Sequence, residues 1–84
     1  MGNTIKSYQV AVNDTDFKIQ QMISLIELNI NHNEKITHES ICKLKNLKIL
    51  YMDNNLRIPG KCLNKLHHLQ VLGLNKIEFI LLYY

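Results

Sequence analysis

Stepping along the chain by 22 residues from Leu25 lands on Leu47 and then Leu69. The same step joins Leu28, Leu50 and Leu72, and it joins Ile30, Met52 and Leu74. Asn33 meets Asn55, Ile36 meets Ile58 and Ile80, Ile41 meets Leu63, and Leu44 meets Leu66. A fixed period of this length marks a chain made of stacked supersecondary units, and it constrains the fold more than any composition value. Within each unit the apolar spacing changes. Leu28 and Ile30, Leu50 and Met52, and Leu72 and Leu74 are two apart, which puts both side chains on one face of a strand. Apolar residues then recur every three, at Ile41, Leu44 and Leu47 and again at Leu63, Leu66 and Leu69, as on a helical or 3₁₀ return. No such unit can bury its apolar face alone, so the core has to be built between units.

Written out, one unit reads Leu25-x-x-Leu28-x-Ile30-x-x-Asn33 and the next reads Leu47-x-x-Leu50-x-Met52-x-x-Asn55. The third, Leu69-x-x-Leu72-x-Leu74, carries Ile77 where the asparagine belongs. This pattern resembles the leucine-rich repeat family, whose signature is L-x-x-L-x-L-x-x-N, over about residues 19–80, without pointing to a subfamily. The resemblance implies an α/β fold: a short right-handed solenoid with a parallel strand sheet on its concave side and short helices on its convex side. Residues 1–24 are expected to form an N-terminal strand and helix capping the stack, followed by repeats at 25–46, 47–68 and an incomplete 69–84. The resemblance further implies a ladder of buried asparagines, here Asn33 and Asn55. A sharp bend after each strand strands backbone groups, and an amide with two donors and an acceptor can satisfy them.

Other local signals agree with this division. Thr37 stands ready to cap the helix beginning at His38, with Glu39 in its first turn. Pro59 suits a first helical position, where no amide hydrogen is needed. Ile19 and Met22 match the Ile41 and Leu44 positions, and Asp14 or Thr15 is the expected cap of that first helix. Tyr8, Val10 and Val12 alternate like a strand but fall outside the 22-residue frame. The C-terminal run from Ile77 to Tyr84 is apolar at a place where stacks of this kind usually end in a polar cap. Three explanations compete: a fold-back cap, a contact with a second copy through an open edge, or a truncated gene product.

Function is read from the side chains that alternate with the buried ones. Glu27, Asn29, Asn31, Ile49, Tyr51, Asp53, Val71, Gly73 and Asn75 fall on the opposite strand face, with His32, Asn54 and Lys76 at its edge. In the leucine-rich repeat family this concave sheet is the usual binding surface. The resemblance therefore implies recognition of a protein partner, as an adaptor or scaffold. Tyr51 lies at the centre of the set, and central aromatics often dominate binding energy.

The alternative reading is electrostatic. Lys43, Lys45, Lys48, Lys61 and Lys65, with His67 and His68, gather on the helical side. They could meet nucleic acid or a membrane surface, but the net charge is only +3 and no nucleic-acid motif accompanies them, so no specific nucleic acid is expected. A truncated repeat protein without independent function is the third reading. No enzyme is expected: Ser40 beside His38 lacks a nucleophile elbow, Glu27, Asp53 and Glu78 are scattered, and three glycines make no phosphate loop. No cofactor or metal site is expected either. His67 and His68 are adjacent, and the His38–Cys42 spacing has no second ligand pair to join it. Cys42 and Cys62 hold different positions in their repeats, so the frame alone does not set up a bridge. With two cysteines and no secretory h-region, the expected setting is intracellular, cytoplasmic and reduced. The longest apolar run, Phe79 to Tyr84, is far short of the roughly 20 residues that span a bilayer. Gly2 matches a myristoylation signal imperfectly, because Lys6 holds the hydroxyl position and Ser7 comes one residue late.

Overall fold

The structure is a computed structural model, and it describes residues 5–31, 33–52, 58–74 and 77–80. Strands and short helices alternate: β1 (Ser7–Gln9), α1 (Asp16–Ile19), β2 (Glu27–Asn29), α2 (His38–Ile41), β3 (Ile49–Met52), α3 (Gly60–Leu63), β4 (Val71–Leu74) and β5 (Ile77–Ile80). The strands form one sheet in the order β1-β2-β3-β4-β5, with β1 to β4 parallel and β5 antiparallel to β4. The 22-residue period reappears as strand register, with Leu28 opposite Leu50 and Leu50 opposite Leu72. Each parallel return, from β1 to β2, β2 to β3 and β3 to β4, passes through one of the short helices.

The spacing of three has a direct backbone cause. After each helix the chain makes i→i+3 hydrogen bonds: Met22 N–H to the Ile19 carbonyl, Leu25 to Met22, Leu44 to Ile41, Leu47 to Leu44, Leu66 to Leu63 and Leu69 to Leu66. These tight turns bring every third side chain back to one side. That side faces the sheet. Ile19, Leu25, Leu28, Ile41, Leu44, Leu47, Leu50, Leu66 and Leu69 are completely buried, and Met22, Ile30, Ile36 and Met52 are nearly so. The core is one continuous cluster between sheet and helices.

The first unit follows the same plan with a shorter connection. Ser7 pairs with Glu27, 20 residues on, whereas α1 precedes α2 by 22. The link from β1 to α1 is thus two residues shorter than the link from β2 to α2, which is why Tyr8 and Val10 fall outside the frame. The alternation of Tyr8, Val10 and Val12 does not make one strand. β1 stops at Gln9, Val10 is buried, and Val12 sits in a turn with 67% of its surface exposed. The Asp14 side chain closes that turn by accepting from Ala11 N–H at 2.7 Å, while Asp14 N–H donates to the Ala11 carbonyl at 3.0 Å. Neither Asp14 nor Thr15 caps α1 through its side chain: Thr15 holds the cap position without such a bond, and Asp14 is engaged elsewhere. Large exposed apolar side chains, among the described residues, are Ile5, Val12, Phe17 and Ile23, all in this first unit.

Two further expectations need correction. Pro59 is the residue before α3, with an extended ψ of 153°, so the helix begins at Gly60. Ile80 does not occupy the place of Ile36 and Ile58. It lies in β5, paired with Val71, because the chain reverses after Leu74 and returns along β4 with Ile77 opposite Leu74. The fold-back over residues 77–80 gives β4 a hydrogen-bonded neighbour on the side where another parallel strand would lie. Among the described residues no helix is long and apolar enough to cross a membrane. Gly2 lies outside them.

Candidate binding surface

The sheet carries two rows of side chains opposite to the core. Glu27, Ile49 and Val71 stand in one register row, and Asn29, Tyr51 and Gly73 in the next. All except Gly73 are half-buried, alternating with the fully buried Leu28 and Leu50. Tyr51 leans toward β4, so that a Cβ added to Gly73 would collide with its Cδ1 and stand 3.0 Å from its Cε1. The glycine is there because a ring lies on its backbone, a close approach that a side chain would block. Tyr51 thereby covers Gly73, with Ile49 and Val71 on the same face. Asn29 folds its side chain back to accept from Asn31 N–H at 2.9 Å, and the buried Asn31 Oδ1 has no hydrogen-bond partner among the described residues. Asp53 and Asn75, the remaining members of the expected surface, lie outside the described residues, as do the edge residues His32, Asn54 and Lys76.

In the bend that follows β2, Asn33 joins two loops. Its amide nitrogen donates to the Ala11 carbonyl at 2.7 Å, to the Asp14 carbonyl at 3.0 Å and more weakly to Val12 at 3.4 Å. Its oxygen accepts from Lys35 and Ile36 N–H at 2.6 and 2.9 Å. One buried amide thus satisfies backbone groups of its own bend and of the preceding unit. Asn55 lies outside the described residues.

The first two helices are joined by polar contacts. Asp16 accepts from Thr37 N–H at 2.8 Å, from Thr37 Oγ1 at 2.5 Å and from Ser40 Oγ at 2.6 Å. Burial pushes the Asp16 carboxyl up, but the hydroxyls of Ser40 and Thr37 and the Thr37 amide outweigh it and hold it below the ordinary value, helped by the nearby His38. Thr37 also caps α2 by accepting from Glu39 N–H. Asp14 is likewise held low, first by the Tyr8 hydroxyl at 2.6 Å, then by Ala11 N–H and by Lys18 at 3.2 Å. Lys18 is raised in turn by Tyr8 and Asp14, its ammonium lying over the Tyr8 ring. The tyrosine that replaces a leucine in β1 therefore buries its ring against the core and sends its hydroxyl to Asp14.

On the helical side the expectation of two unlinked thiols is overturned. Cys42 and Cys62 form a disulfide with their Cα atoms 5.2 Å apart. Cys42 ends α2 and Cys62 lies inside α3, so they meet because they belong to facing turns of neighbouring helices, not to equal positions of the frame. The bridge also removes the ground for reading a reduced setting from the cysteine count. Cys42 opens onto a cleft of about 720 Å³ lined by Lys43, Lys45, Lys65, His38 and His67, with Glu39 the single acid. Lys48 and His68 line a separate, smaller groove with Lys6. Lys43, Lys45, Lys65 and His67 thus share one cleft, and Lys48 and His68 another. Sequence reading collected these charges but had no signal for which of them converge.

Ser40 is buried and donates its hydroxyl to the Asp16 carboxylate at 2.6 Å. Among the described residues no three of His, Cys, Asp and Glu come together as metal ligands. The chain matches no protein-family model, no curated protein and no solved structure.

Proposed function

We propose that the chain is a short solenoid of the leucine-rich repeat type, and that it recognises a protein partner through its strand face, as an adaptor or scaffold. The single observation that carries this reading is Tyr51 laid over Gly73, with Ile49 and Val71 beside it. An aromatic supported on a glycine is a rigid platform that loses little entropy on binding, and such anchors dominate interface energies. Asn29 stands beside Tyr51 in its register row, and Glu27 supplies a charge at the same face. The parallel sheet backed by short helices, with the 22-residue register, is the geometry a repeat stack requires.

The test is affinity capture from the native host with three baits in parallel: the natural chain, Tyr51→Ala, and Lys43→Gln/Lys45→Gln/Lys65→Gln. Loss of an anchor of this kind costs about 2 kcal/mol, so Tyr51→Ala should lose roughly 30-fold in affinity for whatever the natural chain retains. The lysine variant should retain it. The reverse result, with steep salt dependence, would replace this reading with electrostatic binding through the helical side. The repeat assignment has its own check. As a ladder residue Asn55 should cost on the order of 1–3 kcal/mol when changed to alanine, read from the urea midpoint. An unchanged midpoint would sink the register.

A further inference from the structure

The two sulfurs of the Cys42–Cys62 bridge are not equivalent. Cys42 is half-buried and lines the basic cleft, whereas Cys62 is only 2% exposed. A reagent that opens the bridge from solvent meets Cys42 first. The cleft it must enter is lined by Lys43, Lys45 and Lys65 against one acid, Glu39, and the Lys43 ammonium also donates to Gln20 Oε1 at 3.0 Å. Cys62 Sγ lies 3.6 Å from the His38 carbonyl oxygen. In the disulfide that sulfur carries no proton to donate. Once freed and protonated, the Cys62 thiol has a hydrogen-bond acceptor already in place.

We propose that Cys42 is a thiol-exchange site for a small anionic thiol, one that carries carboxylates and is drawn into the lysine-lined cleft. The incoming thiolate forms a bond to Cys42 Sγ, the Cys42–Cys62 bond breaks, and its electron pair leaves on Cys62, which takes a proton from solvent. A second molecule of the same thiol attacks the small-molecule sulfur of the mixed disulfide and releases Cys42 as the thiol. Two thiols are thereby oxidised to their disulfide, and the protein bridge is reduced by two electrons to two cysteines. The lysines act on the approach of the reagent: fixed positive charge raises the local concentration of an anion and lowers that of a cation. The exposure difference decides which sulfur is attacked.

The oxidised full chain is incubated with reduced glutathione (anionic), 2-mercaptoethanol (neutral) or cysteamine (cationic). Each rate is expressed per thiolate so that the reagents' acidities do not enter. Acid-quenched samples are mapped by mass spectrometry. The expected result is a mixed disulfide on Cys42, formed at least about tenfold faster by glutathione than by cysteamine at low salt. The preference should collapse at 1 M salt, where the screening length falls to about 3 Å. Lys43→Gln/Lys45→Gln/Lys65→Gln should erase it at low salt with an unchanged circular dichroism spectrum. The salt series needs no substitution, so it decides the matter even if that variant folds poorly. An adduct on Cys62, equal rates for the anionic and cationic thiols at low salt, or two free thiols in the air-oxidised chain would each overturn the proposal.

Discussion

Asp16 reaches from α1 to the start of α2 and takes three hydrogen bonds there, from Thr37 and Ser40, whereas α3 is tied to α2 by a disulfide. The residues that build the first seam explain why it is not repeated in the second. One period on from Asp16, Thr37 and Ser40 stand His38, Pro59 and Cys62. Proline has neither the amide hydrogen nor the hydroxyl that Thr37 supplies. Cys62 takes the buried place of Ser40, and across the seam it finds Cys42 in place of a carboxylate. The apolar positions of the two units are interchangeable in type, while the connections between helices are not. One seam is therefore expected to answer to pH and the other to redox state.

Reduction of the bridge gives the largest expected effect on this contrast. Closing a chain segment of 20 residues is worth about 3 kcal/mol in the chain-entropy view. The urea midpoint of the reduced chain should drop accordingly at every pH at which both forms are compared. An unchanged midpoint would mean that burial of Leu44, Leu47, Leu66 and Leu69 alone holds the second seam.

Asn33→Ala comes next, at about 2–3 kcal/mol, because it strands donors at Lys35 and Ile36 and acceptors at Ala11 and Asp14 in one step. Amide hydrogen exchange checks where the damage falls. Protection should be lost at Lys35 and Ile36 and kept at Leu66 and Leu69. Loss spread evenly over the chain would show that the two halves unfold as one, and the contrast between seams would have no separate consequence for stability.

Asp16→Ala should cost about 1–2 kcal/mol by leaving the Thr37 amide and hydroxyl donors unpaired and Ser40 with only its 3.3 Å bond to the Thr37 carbonyl. It also carries a pH signature. Asp14 and Asp16 both have folded-state acidities shifted below the ordinary value of 3.8, so their stabilising effect is present above that value. It is lost as pH falls below it, through the lowered folded values. The natural chain should therefore weaken steeply below pH 3.8, Asp16→Asn should weaken less steeply, and the difference between oxidised and reduced chains should not change over the same range. If the acid dependence of Asp16→Asn matches that of the natural chain, the seam is not where the protons act.

Much of this arrangement was legible in the sequence because the 22-residue step reports burial directly. Leu25, Leu28, Ile36, Leu44, Leu47, Leu50, Leu66 and Leu69 were found by spacing alone, and all are buried. The cross-helix connections were not legible for a physical reason. A frame compares equal positions, but side chains that meet across a seam come from unequal ones, as Cys42 and Cys62 or Asp16 and Ser40 do. The first strand escaped the frame because two missing residues ahead of α1 shift its register. The expected surface was assembled from strand alternation, yet alternation says nothing of which way Tyr51 leans or what its ring rests on.

That ring supplies the smallest expected change in stability and a sensitive test of the surface. A methyl group on Gly73 would run into Tyr51 Cδ1 and come within 3.0 Å of Cε1. The ring can relieve the clash by swinging back toward its own strand, so Gly73→Ala should cost only about 1 kcal/mol, the low end for overpacking. Its effect on recognition should be larger than its effect on folding. If the platform of Tyr51 on β4 is what a partner meets, displacing it should weaken capture nearly as much as removing the ring in Tyr51→Ala. A shift of the Tyr51 ring resonances by nuclear magnetic resonance would confirm that the methyl group moved it. Full capture by Gly73→Ala beside lost capture by Tyr51→Ala would mean that the partner uses the tyrosine in some other pose, and the glycine beneath it serves packing alone.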